Sequence, residues 1–258
     1  MNRARTCIGA AAFAGIAALL SGCIPAPGET KPRTTLFVGV DASGSFQRSG
    51  HYDDSLVFLA HYLYGRMNGL GGLQPPRELF VAAVGGNDPG EPKSFHPIHD
   101  FTGKGIEELE QDLREWFPPQ DSLTDFNPFF REVARIARER NLVLAPITVL
   151  IVTDGIPDVT LARADSRGDK TPWEKINLDP LEYLTRNLTL RLAYVSPAAG
   201  RDWRLLVPRN RVRLWTVDAD VMRGWREQLE PGASLANQNR LWKWVRDNLD
   251  YRVRSFGF

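Results

Sequence analysis

LFVGVDASGSF, residues 36–46, drives an apolar run into Asp41 and then into two serines spaced two apart. An apolar run of this length, rich in Val and closed by a Gly-containing turn, reads as a strand buried on both faces. The polar end carries the chemistry. Asp41, Ser43 and Ser45 alternate along the turn, and Gly44 eases it, so three side-chain oxygens can be aimed at one point. Phosphate cradles, nucleophile elbows and metal loops all begin this way, and they differ in what the remainder of the chain must supply.

Outward from that strand, apolar runs alternate with amphipathic stretches, the pattern of β-α-β units around a mostly parallel sheet. Strands are expected at 35–40, 79–84, 147–153, 189–195 and 212–217, with a short edge strand inside 95–101. Helices are expected at about 52–67, 104–116, 126–140, 175–186, 219–229 and 237–253. The polar stretches at about 85–94 and 162–173 read as loops able to move. Right-handed crossovers then favour a doubly wound α/β sheet flanked by helices, in which ligands bind at the carboxyl ends of strands where the strand order reverses. In the last helix Leu241, Val245 and Leu249 recur every four residues beside Trp242 and Trp244, and Arg and Asp interrupt the run. It reads as a closing helix packed on the sheet, not a membrane helix.

The strand at 147–153 leads into Asp154 and Gly155, so a second carboxylate emerges at a strand's carboxyl end. If the two strands are neighbours, Asp41 and Asp154 face each other. Two carboxylates with two hydroxyls form a hard-oxygen site suited to Mg²⁺ or Mn²⁺; zinc would want His or Cys. The bland reading of the same residues is that they cap loops and helix N-termini. A serine nucleophile is disfavoured because Gly-x-Ser-x-Gly is absent and all four histidines, 51, 61, 96 and 99, precede Ser122. No P-loop lysine is present, and Ser43 stands where an aspartyl phosphotransferase would want a second Asp. A hydrolase or phosphotransferase would draw its base from Asp41, Asp121, Asp125, Asp154 or Asp158. A scaffold that holds no metal is the third possibility. In HPIHD, 96–100, two histidines stand near a carboxylate, but Pro97 favours extended chain and surface histidines over a second metal site. Phe46, Pro128, Phe129, Phe130, Ile156 and Pro157 surround the oxygen cluster in sequence, as either core or the rim of a binding face.

DASGS followed by TDG resembles the von Willebrand factor A (VWA) family, whose metal-ion-dependent adhesion site combines an Asp-x-Ser-x-Ser loop, a Thr from a second loop and an Asp from a third. The matching Thr is Thr124 of DSLTDFNPFF, ahead of a helix; the loop lacks the Gly-Gly often found before that residue. The resemblance spans about 34–217 in element order. It implies metal binding by Ser43 and Ser45 through hydroxyls, by Thr124 directly or through water, and by Asp41 and Asp154 mainly through waters and hydrogen bonds. It further implies a non-enzymatic domain whose bound Mg²⁺ or Mn²⁺ takes an Asp or Glu of a protein partner.

The N-terminus carries Arg3 and Arg5, an apolar run from Cys7 to Leu20, and then LSGC at 20–23, which resembles the bacterial lipobox. The run is short of the roughly 20 residues a spanning helix needs, so residues 1–22 read as a secretory signal. Cys23 is then the lipidated mature N-terminus. Residues 24–33, IPAPGETKPR, form a tether reaching roughly 30 Å when extended, and 34–258 form the domain. Ile24 after the cysteine implies, for a Gram-negative host, the outer membrane with the domain facing the periplasm. Removing Arg3 and Arg5 leaves 30 basic against 31 acidic residues, which gives no electrostatic pull toward nucleic acid. With Cys7 removed and Cys23 acylated, no disulfide is available.

Overall fold

The computed structural model of the chain describes residues 32–86, 93–119, 123–158, 170–184 and 187–251. The signal, Cys23 and most of the tether therefore lie outside the described residues, as does much of the two polar loops. Six strands form one sheet in the order β3-β2-β1-β4-β5-β6: β1 Thr34–Asp41, β2 Pro76–Val84, β3 His96–Pro97, β4 Ile147–Val152, β5 Leu188–Val195 and β6 Arg213–Asp218. All neighbours pair in parallel except β3, which is antiparallel to β2 at one edge, as the 95–101 reading required. After β3 the chain crosses back to the other side of β1, so β1 and β4 are adjacent at the reversal point, with Val40 beside Val152.

The period-two alternation of strand side chains divides the interior. Leu36, Val38 and Val40 join one cluster, with Leu79, Val81, Leu150 and Val152, beneath α2 (Tyr52–Met67), α3 (Ile106–Trp116) and α7 (Asn239–Asn248). Phe37, Phe80, Ala82, Val149 and Ile151 join the other, beneath α4 (Phe126–Glu139) and α5 (Pro197–Leu205). Gly39 is small for a reason of packing: a Cβ there would lie 2.6 Å from Val84 and 3.1 Å from the ring of Phe129. The absent side chain lets α4 settle onto the centre of the sheet. Leu241, Trp242, Val245 and Leu249 are all buried, so the last helix does close one face.

Two helix expectations fail. The stretch 175–186 forms no α-helix in its described part, only 3₁₀ turns over Asp179–Leu184, following another over Trp173–Lys175. Pro180 withholds a backbone donor that a continuous helix there would use. The 219–229 helix is five residues, α6 (Ala219–Arg223), ending near Gly224 and followed by a 3₁₀ turn at Arg226–Gln228. Conversely, α5 was not among the bounded helices. Its start is signalled by Ser196, whose hydroxyl accepts from the Ala199 N–H, and by Pro197 at the first position. The turn after β1 also contains a short helix, α1 (Gly44–Arg48). No helix among the described residues is long and apolar enough to cross a membrane.

Candidate metal centre

β1 delivers Asp41 fully buried at its carboxyl end. The chain turns at once, because Asp41 Oδ1 accepts the Ser43 N–H at 3.0 Å and Ser43 caps α1, its hydroxyl accepting from the Phe46 N–H at 3.4 Å. The cap brings Ser45 round, leaving the two serine hydroxyls 3.1 Å apart. β4 supplies the next loop: the Thr153 hydroxyl donates to Asp41 Oδ2 at 2.6 Å, and Asp154 follows, its Oδ1 accepting from the Ile156 N–H at 2.9 Å. Asp154 also takes a hydrogen bond from the Ser45 side chain. The third loop brings Thr124, whose hydroxyl reaches Asp41 Oδ1 at 3.5 Å, the outer limit of such a contact. All five expected residues thus join one hydrogen-bonded cluster, with Ser45 the most open of them.

Two features that sequence reasoning did not use hold the Thr124 loop. Gly86 and Leu123 form a two-bond antiparallel bridge, at 3.1 and 3.2 Å, tying this loop to the end of β2. Gly85 makes the approach possible: its φ is +84°, and a Cβ would sit 2.1 Å from the Leu123 carbonyl oxygen. Asp158 then accepts the Thr124 N–H at 2.7 Å while its own N–H donates to the Thr124 carbonyl at 3.1 Å. The signals were present as GG at 85–86 ahead of a loop, and as a second Asp following TDG, but neither names its partner in sequence. Thr153 is a similar omission, visible only once β4 lies beside β1.

Electrostatics decide what the cluster can hold. Burial pushes the Asp41 carboxyl up to about 7; the Thr153 and Ser43 hydrogen bonds pull it down, and the Asp154 charge adds to the rise. Burial also raises Asp154, against the pull of the Ile156 and Ser45 hydrogen bonds and the Arg48 charge. Hydroxyls, one backbone N–H and a second carboxylate act on Asp41, and no cation is among them. Among the described residues there is no group of three His, Cys, Asp or Glu side chains suited to a metal, so a zinc-type donor set is not what converges here. Two buried carboxylates beside three hydroxyl oxygens fit a hard cation of the Mg²⁺ or Mn²⁺ kind.

The neighbours divide between core and mouth. Phe46, Phe129 and Phe130 are completely buried, so they are core and not the rim of a binding face; Pro128 and Pro157 are buried too. Ile156, 43 % exposed, stands beside Asp154 at the opening. His96 lies flat on Trp116 with ring centroids 3.9 Å apart, and His99 lies mostly in solvent. Asp125 caps α4, accepting from the Asn127 N–H at 2.9 Å.

The fold and site define an α/β domain with an oxygen-lined mouth at the strand reversal. No protein-family profile and no curated protein matches the sequence. Among solved structures, the chain is similar to proximal thread matrix protein 1 from the mussel byssus, with 12% identity, 84% of this chain and 48% of that one covered, and a TM-score of 0.44. Another structure of that protein has a zinc-occupied MIDAS motif. The chain spans about half the length of the mussel protein. It is also similar to the SpRpn10 VWA domain, at 10% identity, 84% and 95% coverage and a TM-score of 0.43. The manganese-loaded TRAP protein of Plasmodium vivax gives 18% identity, 73% and 69% coverage and a TM-score of 0.45.

Proposed function

We propose that this chain is a lipid-anchored envelope protein with a VWA-type binding domain. It holds Mg²⁺ or Mn²⁺ among Asp41, Ser43, Ser45, Thr124 and Asp154 and engages an acidic side chain of a protein partner. The observation that carries the reading is the convergence of two buried carboxylates and three hydroxyls from three separate loops. The bound ion would supply an electrophilic position for a carboxylate from outside.

The chain's own residues divide the work. Asp41, held by Ser43 N–H and the hydroxyls of Thr153 and Thr124, fixes the loop geometry and contributes negative charge. Ser43 and Ser45 offer neutral oxygens, which leave more of a cation's charge unmet than carboxylate ligands would. The openness at Ser45 and Ile156 gives a partner's side chain a way in. Cys23, acylated, would hold the chain on the membrane, facing the periplasm from the outer membrane in a Gram-negative cell, and two or more acyl chains suffice for stable anchoring.

The test is pulsed electron-nuclear double resonance on the Mn²⁺-loaded full-length chain with ¹³C-carboxylate acetate as the probe. A ¹³C coupling in the wild type and none in Asp41→Ala supports a carboxylate-gripping ion. A loaded wild type with no ¹³C coupling sinks the partner reading.

A further inference from the structure

The amino ends of the strands carry a second concavity, at the opposite end of the sheet from the Asp41 cluster. A cavity of about 660 Å³ opens where β4, β5 and β6 begin, beneath the end of α7. Its wall contains two arginines, Arg66 from the last turn of α2 and Arg191 from β5, each only 5 % exposed. They face Asp250, whose side chain is 9 % exposed. Arg66 Nη1 donates to Asp250 Oδ2, and the Tyr62 hydroxyl donates to Asp250 Oδ1 at 3.1 Å. Arg191 has no carboxylate hydrogen bond of its own: its Nη2 donates to the Tyr251 carbonyl at 2.7 Å, and its guanidinium lies 5.0 Å from the Tyr251 ring centroid.

The consequence is an uncompensated positive charge. Arg66 Nε, Arg191 Nε and Arg191 Nη1 are buried with no hydrogen-bond partner; among the described residues only Trp173 Nε1 shares that condition. Buried guanidinium N–H groups are costly to leave unpaired, so three in one wall point to an acceptor supplied from outside the chain. The surroundings add to the charge. Arg246, half-buried, also lines the cavity, whereas its other carboxylate, Asp247, is paired with Lys243. On the remaining side Trp215 and Tyr251 meet edge to face at 5.1 Å between centroids, giving an aromatic surface.

We propose that this cavity binds a small organic oxyanion, whose phosphate or carboxylate head pairs with Arg191 and Arg66 and whose body lies against Trp215 and Tyr251. Guanidinium forks match both head groups, and the volume falls within the range of small-molecule sites, well above what inorganic phosphate fills. The site is independent of the metal centre.

The test is calorimetric titration of the full-length chain, in dodecyl maltoside at about 0.15 M salt so that surface attraction is screened, with phenyl phosphate, benzoate and inorganic phosphate. One of the two aromatic anions is expected to bind saturably and more tightly than inorganic phosphate. Its affinity should fall at least about tenfold in Arg191→Met and measurably in Arg246→Gln. Without the anion, Arg191→Met should melt no lower than the wild type, because it removes a buried charge that lacks a carboxylate hydrogen bond. If that variant fails to fold, Arg246→Gln decides, and wild-type affinity in it overturns the proposal. Silence of the wild type toward both aromatic anions up to about 10 mM also overturns it, as does equal binding by the wild type and both variants.

Discussion

At the scale of the residue, Asp41 does the most and is the least accessible. Its carboxyl in the folded, metal-free chain sits near 7, against 3.8 ordinarily, chiefly through burial. A folded-state value raised above the unfolded one means the folded chain holds the proton more tightly. The associated stability is therefore full below about pH 4 and is lost as pH rises to about 7. Asp41→Asn removes that slope. In EDTA, its stability relative to the wild type should climb between these pH values by up to about 4 kcal/mol and level off above, as read from urea unfolding at each pH. A flat difference would mean Asp41 has an unseen compensating charge. Ser43 has two duties, capping α1 and offering its hydroxyl to the cluster. Ser43→Ala should cost about 1 kcal/mol for the lost cap, measured by thermal unfolding, and weaken Mg²⁺ binding by more than that cost explains.

At the scale of the element, the site is a product of how loops are held. Gly85→Ala forces a Cβ against the Leu123 carbonyl at a positive φ, so the bridge that seats Thr124 must give way. The expected result is a loss of metal affinity in calorimetry with a destabilisation of only about 1–3 kcal/mol. Phe129→Ala, which empties the space over Gly39, should cost about 3–5 kcal/mol in urea unfolding. What was legible in sequence follows the same division. The strands could be read because Val, Ile and Leu runs buried on two faces leave a local signature, and Asp41, Ser43, Ser45 and Asp154 could be read because they end those runs. The 3₁₀ path around Asp179–Leu184 was missed because apolar residues such as Leu181 and Leu184 mimic helical spacing while Pro180 breaks the donor ladder. Thr153, Asp158 and the Gly86–Leu123 bridge were missed because their roles exist only across chain separations that a linear reading does not join. The two arginines at the other end of the sheet, 66 and 191, are 125 positions apart in sequence and come together only in the fold, where the Asp250 charge acts on both.

At the scale of the whole molecule, the sheet has two chemically opposite ends, an acidic oxygen cluster at the carboxyl ends of the strands and arginines at the amino ends. The proposed anchor would place both on a short leash from the bilayer. If Cys23 is acylated, the wild type expressed in a bacterium should incorporate labelled palmitate and sediment with membranes, and Cys23→Ser should not incorporate it. The central claim is that the Asp41 cluster holds a divalent cation, and the most direct measurement is calorimetric titration of the full-length chain with Mg²⁺ and Mn²⁺ beside Asp41→Ala. Saturable binding by the wild type alone, with Asp41→Ala still unfolding cooperatively, is the predicted result. No binding by a folded wild type at millimolar ion, or equal binding by both chains, would contradict it and leave Asp41, Ser43 and Asp154 as residues that only shape their loops.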